Sequence, residues 1–292
     1  MKVSGFTIVR NAVKYDYPAI ESVKSILPLC DEFIILVGNS DDGTSELIQS
    51  IDSDKIKIHR SVWDDSLRKG GRVLAAETDK AFDRVSPDSD WAFYIQADEV
   101  VHEKYHDAVR SAMSRYKDDK SVEGLLFKYL HFYGNYKYVG DAREWYNHEI
   151  RIIRNDKNIR SYRDAQGFRK HDKKLRVKPI DAYIYHYGWV RNPYFMYSKQ
   201  SAFGRLYDGG ENAKENLTVK KEDLYDYSKI DSLTLFDGTH PSVMAERIGK
   251  MNWEFEHDTN RKNFGSKDYF LYLFEKYTGK RLFEYRNYKI IK

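Results

Sequence analysis

The chain has one cysteine, Cys30, among its 292 residues. A single cysteine excludes a disulfide within the chain and is typical of proteins from reducing compartments. No apolar run approaches the roughly 20 residues that a membrane-spanning helix needs. The first residues also lack the apolar stretch of a signal peptide. These absences predict a cytoplasmic protein, in which any membrane contact is peripheral and on the cytoplasmic face.

The chain also lacks a strong net charge, because 49 Lys and Arg residues against 45 Asp and Glu leave only +4. A nucleic-acid partner is therefore not expected. The basic residues are unevenly placed, since positions 151–178 hold eleven Lys or Arg and only three Asp. This basic stretch is either a solvated face or a contact for an anionic ligand or the inner membrane surface.

The first hundred residues alternate between strand-like and helix-like patterns. Strands are predicted at 5–9, 33–37, 55–59 and 91–95, and helices at 18–29, 44–51 and from 70 to about 85. The run 33–37 is apolar without interruption, as in a strand covered on both faces. Strands and helices in this order predict an α/β fold with a mostly parallel, Rossmann-like central sheet and helices on both faces.

Polar residues follow three of the predicted strands. Right-handed crossovers would bring 10–11, 39–42 and 96–99 to one rim of the sheet, where open α/β sheets bind their ligands. The last group is the most informative, because the apolar strand 91–95 stops at Gln96-Ala97-Asp98-Glu99. Carboxylates in that position suit a hard divalent cation and, through it, a phosphate.

The pattern changes in the second half of the chain. After a helix over 103–116, strands are predicted at 124–133, 149–153 and 182–187, and the chain is mainly helical from Pro193. Ser266 is expected to cap a helix over 267–277, and Gly279 to end it. We therefore predict a domain of residues 1–192 and a helical extension of residues 193–292 packed on it.

Five short motifs occur along these elements: FTIVRN at 6–11, VGNSDDGT at 37–44, GGR at 70–72, QADE at 96–99 and HYGWVRNP at 186–193. In this order and spacing the chain resembles the A-type nucleotide-sugar glycosyltransferases, close to the family 2 enzymes. The resemblance covers about the first 195 residues. It implies the A-type glycosyltransferase fold and makes residues 1–192 the catalytic domain that binds the nucleotide sugar.

The resemblance implies which residues meet the nucleotide sugar. In the family, the end of the first strand contacts the base, the acidic loop after the second strand directs a carboxylate toward it, and a helix-start arginine faces the nucleotide. The matching residues here are Val9, Arg10, Asn11, Asn39, Asp41, Arg72, Gln96, Ala97 and Asp98. The alternatives are a turn or helix-cap role for Asp41 and a surface helix charge for Arg72.

The resemblance also implies a divalent metal, Mn²⁺ or Mg²⁺, that would neutralise the charge of the departing diphosphate. Asp98 matches the last acid of the family's DxD motif, and His186 matches a histidine that often completes the coordination. Gln96 stands where the first acid is expected, and Glu99 is a candidate to replace its charge. A core role for His186, which lies between two tyrosines, is equally open.

An inverting transferase needs a carboxylate to take the proton of the acceptor hydroxyl. Asp164 is the first candidate and Glu149 the second, although either could instead pair with a neighbouring arginine. We expect a metal-dependent, inverting transfer of a sugar to a hydroxyl of a glycan or lipid-linked acceptor, in surface glycan biosynthesis as the family suggests. The alternatives are a non-catalytic glycan- or nucleic-acid-binding protein and, with less support, a sugar nucleotidyltransferase, whose Gly-rich phosphate loop does not follow the first strand.

Overall fold

The structure is a computed structural model that describes residues 1–67, 69–207 and 224–292. Its strands are β1 (Val3–Val9), β2 (Glu32–Gly38), β3 (Ile56–Ser61), β4 (Trp91–Tyr94), β5 (Glu99–Val101), β6 (Gly124–Tyr133), β7 (Tyr138–Gly140), β8 (His148–Arg154), β9 (Ile159–Tyr162), β10 (Gly167–Lys170), β11 (Lys173–Lys174), β12 (Arg176–Trp189), β13 (Leu233–Leu235) and β14 (Lys289–Ile290). Its α-helices are α1 (Ala19–Ile26), α2 (Thr44–Gln49), α3 (Arg72–Phe82), α4 (His106–Arg115), α5 (Pro193–Tyr207), α6 (Ala245–Gly249) and α7 (Ser266–Thr278).

The central sheet begins with four parallel strands in the order β3-β2-β1-β4. Strand β8 then pairs antiparallel with β4 and with β6, and the long strand β12 runs parallel to β6. Strand β12 also pairs antiparallel with β5, which curls the sheet over the end of β4. The predicted fold class, an α/β protein with a mostly parallel central sheet, is confirmed.

Helices cover both faces of this sheet. On one face Val23 of α1 packs in a cluster with Phe33 of β2. On the other face Phe82 of α3 packs against Phe6 of β1, with ring centres 5.4 Å apart. Because successive side chains of a strand point to opposite faces, a strand covered on both sides is apolar throughout, which explains the uninterrupted run 33–37. Each fully buried Phe contributes about 1.5–3 kcal/mol to the stability of this arrangement.

Neither α2 nor α7 begins at a side-chain cap, so the predicted cap at Ser266 is wrong. The residue before α2 is Gly43, with φ +83°, and the Thr44 hydroxyl instead accepts a hydrogen bond from the backbone N–H of Ala12 at 2.7 Å. Thr44 therefore ties the loop after β1 to the start of α2 rather than capping its own helix. At α7 the capping position is Gly265, without a side-chain cap. Gly279 ends α7 at φ +67°, as predicted.

The C-terminal part is less helical than predicted. Besides α5, α6 and α7 it contains β13, which pairs with β7, and β14, which pairs with the start of β12. Arg247 of α6 binds Asp16 at 2.6 Å and Glu21 at 3.1 Å, so this part also contacts the loop after β1. The division of the chain into a domain of residues 1–192 and an extension of residues 193–292 stays a prediction. No helix in the described ranges is long and apolar enough to cross a bilayer.

The basic stretch 151–178 is divided between the interior and the surface. Arg151, Arg154 and Arg169 are buried. The guanidinium of Arg154 lies 3.9 Å from the ring centre of Trp91 and donates to backbone oxygens, so it is a structural residue. By contrast, residues 171–174 are exposed. The three buried arginines therefore do not belong to the surface that could meet an anionic partner, and that surface carries fewer charges than the sequence count suggests.

Candidate active site at the rim of the central sheet

A cavity of about 730 Å³ opens beyond the ends of β1 and β4. Several residues predicted from the sequence line it together: Arg10, Asn11, Gln96, Ala97, Asp98, Asp164 and His186. The other predicted residues do not belong to its lining: Val9, Asn39, Asp41, Arg72, Glu99 and Glu149. The cavity therefore gathers residues from the first strand, the fourth strand, the β9–β10 connection and β12, which are far apart in the sequence.

The loops after β1 and β2 are bonded to each other. Arg10 donates through Nε to the backbone oxygen of Asn39 at 3.2 Å, and the backbone N–H of Asn11 donates to Ser40 Oγ at 3.0 Å. Asn11 adopts φ +53°, a left-handed conformation that asparagine tolerates better than most residues. These contacts fix the mouth of the cavity where the base was predicted to bind.

The acidic loop at 39–44 uses its two aspartates differently. Asp42 accepts hydrogen bonds from the backbone N–H of Lys14 at 2.7 Å and from the Thr44 hydroxyl at 2.5 Å, which is a turn-organising role. Asp41 is exposed and lies outside the cavity lining. A nucleotide contact by Asp41 stays a prediction that this geometry does not support.

Val9 and Arg72 also lie away from the cavity. Val9 is buried in the core on the α1 side, and its neighbour Ile8 lines the cavity instead. Arg72 is an exposed residue at the start of α3, after Gly71 at φ +69°. The surface-charge alternative therefore describes Arg72 better than a diphosphate contact.

Trp63 also lines the cavity, and no motif in the sequence pointed to it. Its indole is buried, and the Arg10 guanidinium lies 5.1 Å from the ring centre. Its Nε1–H makes no hydrogen bond among the described residues. Gly38 makes room for the ring, because a Cβ there would lie 2.4 Å from Nε1. Trp63 thus offers the cavity a flat apolar surface beside Arg10.

Asp98 also lines the cavity and is 8% exposed. Its Oδ2 accepts a hydrogen bond from Lys199 Nζ at 3.2 Å, and its Oδ1 lies 3.8 Å from His186 Nε2. Burial alone would raise the pKa of Asp98, but the nearby positive charges, that of Lys199 foremost and then that of Arg191, lower that pKa to about 2. Asp98 is therefore a carboxylate at neutral pH.

Strand pairing places Asp98 beside His186. In the antiparallel pairing of β5 with β12, His186 lies opposite Glu99. The backbone N–H of Tyr187 donates to the backbone oxygen of Asp98 at 2.8 Å. Gly188 keeps the space between the two side chains open, since a Cβ there would lie 2.3 Å from His186 Nε2 and 3.0 Å from Asp98 Oδ2. Any other residue at 188 would fill this space.

A second histidine fixes the hydrogen positions on His186. His131 Nε2 lies 2.8 Å from the backbone oxygen of Tyr146, which can only accept, so Nε2 carries the hydrogen. Burial lowers the pKa of His131 far below its usual value, so its Nδ1 is an acceptor. His186 Nδ1, 2.9 Å away, must then donate. Burial also lowers the pKa of His186, and its neutral ring turns the Nε2 lone pair toward Asp98.

Glu99 belongs to the interior rather than to the cavity. Arg151 binds both of its oxygens at 2.7 Å, and both side chains are fully buried. Tyr129 donates its hydroxyl to the same carboxylate at 2.7 Å. A carboxylate with its oxygens engaged in this way is not available to a metal ion, so the structure does not support Glu99 as a replacement for the missing acid.

Gln96 has a definite partner. Its Nε2 donates to the backbone oxygen of Ala165 at 3.3 Å. Asp164 therefore lies in a loop that is attached to the end of β4. The residues on either side, Arg163 and Ala165, have φ of +56° and +62°, which bends this loop tightly at the cavity. A neutral amide at 96 can donate this hydrogen bond, whereas the carboxylate of the DxD pattern could not.

Glu149, the second candidate for the base, is buried behind the cavity lining. Its Oε2 accepts from the backbone N–H of Ile150 at 3.2 Å. Burial raises its pKa to about 8, and the nearby Arg151 only partly opposes this. Of the two carboxyl groups proposed as base, Asp164 is thus the one that lies at the cavity.

Asp98 and His186 fit a divalent ion as two ligands. A carboxylate oxygen and a neutral imidazole nitrogen face the same space, which Gly188 leaves open. Within the described ranges, no three His, Cys, Asp or Glu side chains form a group that could hold a metal. An ion bound here would need further ligands, which a bound phosphate or water could supply.

Sequence reasoning also missed Lys199 and Arg191. Arg191 belongs to the HYGWVRNP motif, but nothing in that motif assigned it a role. Lys199 lies on α5, where a lysine among polar residues normally indicates an exposed helix face, yet it is 7% exposed. Only the folded arrangement, which places α5 over the end of β4, reveals it.

No protein-family model and no curated protein sequence matches the chain. Among solved structures, S. aureus TarS matches with 15% identity and a TM-score of 0.38, over 70% of this chain and 39% of that protein. The 4-diphosphocytidyl-2C-methyl-D-erythritol synthase of Anaerococcus prevotii matches with 7% identity and a TM-score of 0.34, over 53% and 70%. Glucosyl-3-phosphoglycerate synthase from Mycobacterium tuberculosis, solved with Mn²⁺, UDP and glucosyl-3-phosphoglycerate, matches with 17% identity and a TM-score of 0.30, over 46% and 45%. Likenesses this distant place the chain in no family.

Proposed function

We propose that the protein is a glycosyltransferase that moves a sugar from a nucleotide-sugar donor to a hydroxyl acceptor. The observation that carries this proposal is the cavity at the sheet rim, which brings Asp98, His186 and Asp164 together with Arg10 and Asn11. Its volume of about 730 Å³ lies within the range of roughly 300–1,000 Å³ usual for small-molecule sites. A nucleotide sugar is proposed as the donor because the five sequence motifs resemble those of nucleotide-sugar glycosyltransferases.

The donor would lie across the cavity between two chemically different ends. The base would stack on or near Trp63 and meet Arg10 and Asn11, because these residues offer an aromatic face and fixed polar groups. The diphosphate and sugar would lie toward Asp98 and His186. In this orientation the loops after β1 and β2 would bind the nucleoside, and the residues after β4 would bind the diphosphate and the sugar.

Asp98 and His186 would hold the predicted Mn²⁺ or Mg²⁺. When bound, such an ion would supply Lewis acidity that stabilises charge on the diphosphate. The chain's own residues keep this position available: His131 orients the His186 ring, and Gly188 leaves the space open.

Asp164 would act as the base of an inverting reaction. The acceptor oxygen forms a bond to the anomeric carbon, the bond between that carbon and the diphosphate oxygen breaks, and the diphosphate leaves with the electron pair. Asp164 takes the proton of the acceptor hydroxyl, a role that contributes about 10²–10⁴-fold in rate. Gln96 would position this base by holding the backbone next to it.

The acceptor would be a glycan or a lipid-linked sugar, in surface glycan synthesis. Peripheral contact with an anionic membrane would use the exposed part of the basic stretch, which includes Lys173 and Lys174. The Lys174 ammonium lies 4.9 Å from the ring of Tyr285, an exposed aromatic residue, so charge and an amphipathic ring are adjacent on this surface.

The test is a turnover screen with UDP-, GDP-, CMP- and dTDP-sugars, with Mn²⁺, with Mg²⁺ and with EDTA. We expect one donor to release its nucleotide, and both Asp98→Ala and Asp164→Asn to abolish this release in folded protein. Asp181→Asn, which changes an exposed carboxylate far from the cavity lining, is the matched control. Release of pyrophosphate during synthesis of a sugar nucleotide would instead identify a nucleotidyltransferase, and indifference to all nucleotide sugars would contradict both enzymes.

A further inference from the structure

Helix α7 presents large aromatic side chains to solvent rather than to the interior. Of its 13 residues only Leu271 is buried, whereas Phe270 is 64% and Tyr277 is 82% exposed. Phe270 and Tyr277 are seven positions apart, which is about two helical turns, so they lie on the same side of the helix. A surface helix of a globular protein normally turns its apolar side toward the core. The outward side of α7 departs from this pattern, and clustered apolar exposure of this kind marks interaction sites.

The bend after α7 projects a further ring. Phe283 is 90% exposed and adopts φ +58°, a left-handed conformation that a bulky residue rarely takes. Such a backbone conformation persists only where its surroundings hold it. Arg143 donates to the backbone oxygen of Leu282, and Arg281 Nε lies 3.8 Å from Glu284 Oε1. These contacts fix the bend on both sides of Phe283, so its ring is held out in solvent.

The bend is attached to α7 and to the basic surface of the proposed membrane contact. Glu275 of α7 accepts a hydrogen bond from Arg143 Nη1 at 2.7 Å and lies 3.6 Å from Arg281 Nε. The exposed ring of Tyr285 follows the bend, with the Lys174 ammonium 4.9 Å from its centre. We call the exposed rings of this region the C-terminal aromatic patch: Phe270, Tyr277, Phe283 and Tyr285.

Exposed basic residues accompany the patch. Residues 266–292 contain seven Lys or Arg against three Asp or Glu. Two of the three acids, Glu275 and Glu284, are paired with arginines. The lysines of this segment are all exposed: Lys267, Lys276, Lys280, Lys289 and Lys292. Lys267 precedes Phe270 by three residues and therefore lies on the same side of α7.

This combination of side chains matches an anionic bilayer surface. Aromatic rings are favoured at the boundary between lipid headgroups and acyl chains, and lysines are attracted to the phosphates of anionic lipids. A second copy of the same surface would instead bring like charges together. The chemistry of the patch therefore selects a membrane over a copy of the chain.

We propose that the C-terminal aromatic patch inserts into the headgroup region of an anionic membrane, while the neighbouring lysines bind the lipid phosphates. The inference rests on the membrane contact in the proposed function and deepens it, because it adds insertion of rings to the attraction by Lys173 and Lys174. Salt screens attraction between charges but affects the burial of rings much less. Insertion therefore predicts binding that persists in part at high salt.

The experiment is co-flotation of the full chain with vesicles of phosphatidylethanolamine and phosphatidylglycerol, at low and at high salt. We expect wild-type protein to bind at low salt and to remain partly bound at high salt. Phe270→Gln/Tyr277→Gln/Phe283→Asn should weaken binding at least about 10-fold under both conditions, since one inserted phenylalanine accounts for that much. Asparagine suits the left-handed conformation at 283. Val62→Ser, an exposed apolar residue after β3, is the matched control.

A second measurement reports the position of the ring directly. Phe283→Trp places a tryptophan at the tip of the bend, and vesicles with brominated acyl chains should quench its fluorescence beyond the quenching of the wild-type tryptophans. Circular dichroism checks that each variant is folded. If the triple variant is unfolded, Phe283→Asn alone and the quenching of Phe283→Trp decide the question.

Three results would overturn the inference, and they differ in what else they remove. If high salt releases the wild-type protein completely and the triple variant binds equally well, insertion is wrong and the charged membrane contact stands. If no vesicle binds, the membrane contact fails together with this inference, whereas sugar transfer is judged separately by the turnover screen. A concentration-dependent dimer that the triple variant abolishes, without vesicle binding, would assign the patch to a second copy of the chain.

Discussion

The amide of Gln96 donates a hydrogen bond to the backbone oxygen of Ala165 at 3.3 Å. This contact joins the end of β4 to the loop that carries Asp164, although the two segments are far apart in the sequence. Because only a donor can make it, the structure gives a physical reason for an amide at position 96.

The first prediction is that an acid at position 96, where the DxD pattern has one, does not raise the proposed transferase activity. Gln96→Glu would place a carboxylate against the carbonyl of Ala165, where two acceptors repel each other. We expect kcat to fall at least about 10-fold, the consequence of losing roughly 1.4 kcal/mol of positioning, with little change in the folded fraction. Steady-state kinetics with the identified donor measure this, and Gln49→Glu on an exposed helix position is the control. A faster Gln96→Glu enzyme would show that the acid matters more than the loop.

The second prediction concerns the buried pair of Glu99 and Arg151. Glu99→Gln would leave the Arg151 charge without its partner inside the protein, which typically costs about 3–5 kcal/mol of unfolding free energy. Urea denaturation followed by circular dichroism measures the loss, with the exposed Glu103→Gln as control. If the Glu99→Gln protein is stable but has lost its affinity for Mn²⁺, Glu99 is a metal ligand after all.

The third prediction is a pH dependence of stability that comes from Glu149. Burial raises its folded-state pKa to about 8, above its ordinary value of 4.5. The proton that the folded state retains therefore stabilises it fully below pH 4.5, and this stability is lost as the pH rises through 8. The unfolding free energy should differ by about 5 kcal/mol between the two ends of this pH range. Denaturation between pH 5 and 8.5 should show a decline that Glu149→Gln flattens; identical slopes in both proteins would exclude the effect.

The fourth prediction concerns Trp63. Replacing it with alanine removes the aromatic face on which the base is proposed to stack, and loss of base stacking typically costs about 1–3 kcal/mol. We expect Trp63→Ala to weaken nucleotide binding by about 10-fold or more, and Trp63→Phe to weaken it less. Calorimetry with the preferred nucleoside monophosphate measures this without the diphosphate contacts. Equal affinities in all three proteins would place the base elsewhere.

The fifth prediction tests membrane contact. Lys173→Glu/Lys174→Glu should reduce co-flotation with vesicles that contain anionic lipid at low salt, because each basic residue near such a surface contributes about 1 kcal/mol. Arg160→Glu, in the same basic stretch but paired with Asp83, is the comparison. Wild-type protein that remains unbound under these conditions would remove the membrane proposal altogether.

The sequence predicted which strand ends surround the cavity, because the patterns that indicate a strand and its end lie within a few consecutive residues. An apolar run that ends in acids placed Asp98 at a sheet rim, and strand alternation with helices placed residues 10–11 at the same rim. The separation of Asp98 from Glu99 was not predicted, because Asp98 lies in a turn and Glu99 is the first residue of the short strand β5. Arg151, which forms the ion pair with Glu99, lies 52 residues away in the sequence. The pair forms only because the fold brings β8 next to β5.

The remaining site residues depend on contacts that leave no local pattern. Lys199 faces Asp98 only because α5 crosses the end of β4, 101 residues distant in the sequence. Trp63 enters the cavity because Gly38 offers no side chain at that point. Both are pairings between distant segments, which neither composition nor periodicity encodes.

The placement of α5 has a consequence for how such a protein can be engineered or diversified. A cut at residue 192 looks like a natural point for building chimaeras that exchange acceptor preference. Such a cut would also remove Lys199 from Asp98 and Arg247 from Asp16. The two parts of the chain therefore cannot be exchanged independently: a graft that replaces residues from 193 onward also changes the contacts of Asp98 at the cavity and of Asp16 after β1, so both parts have to be changed together.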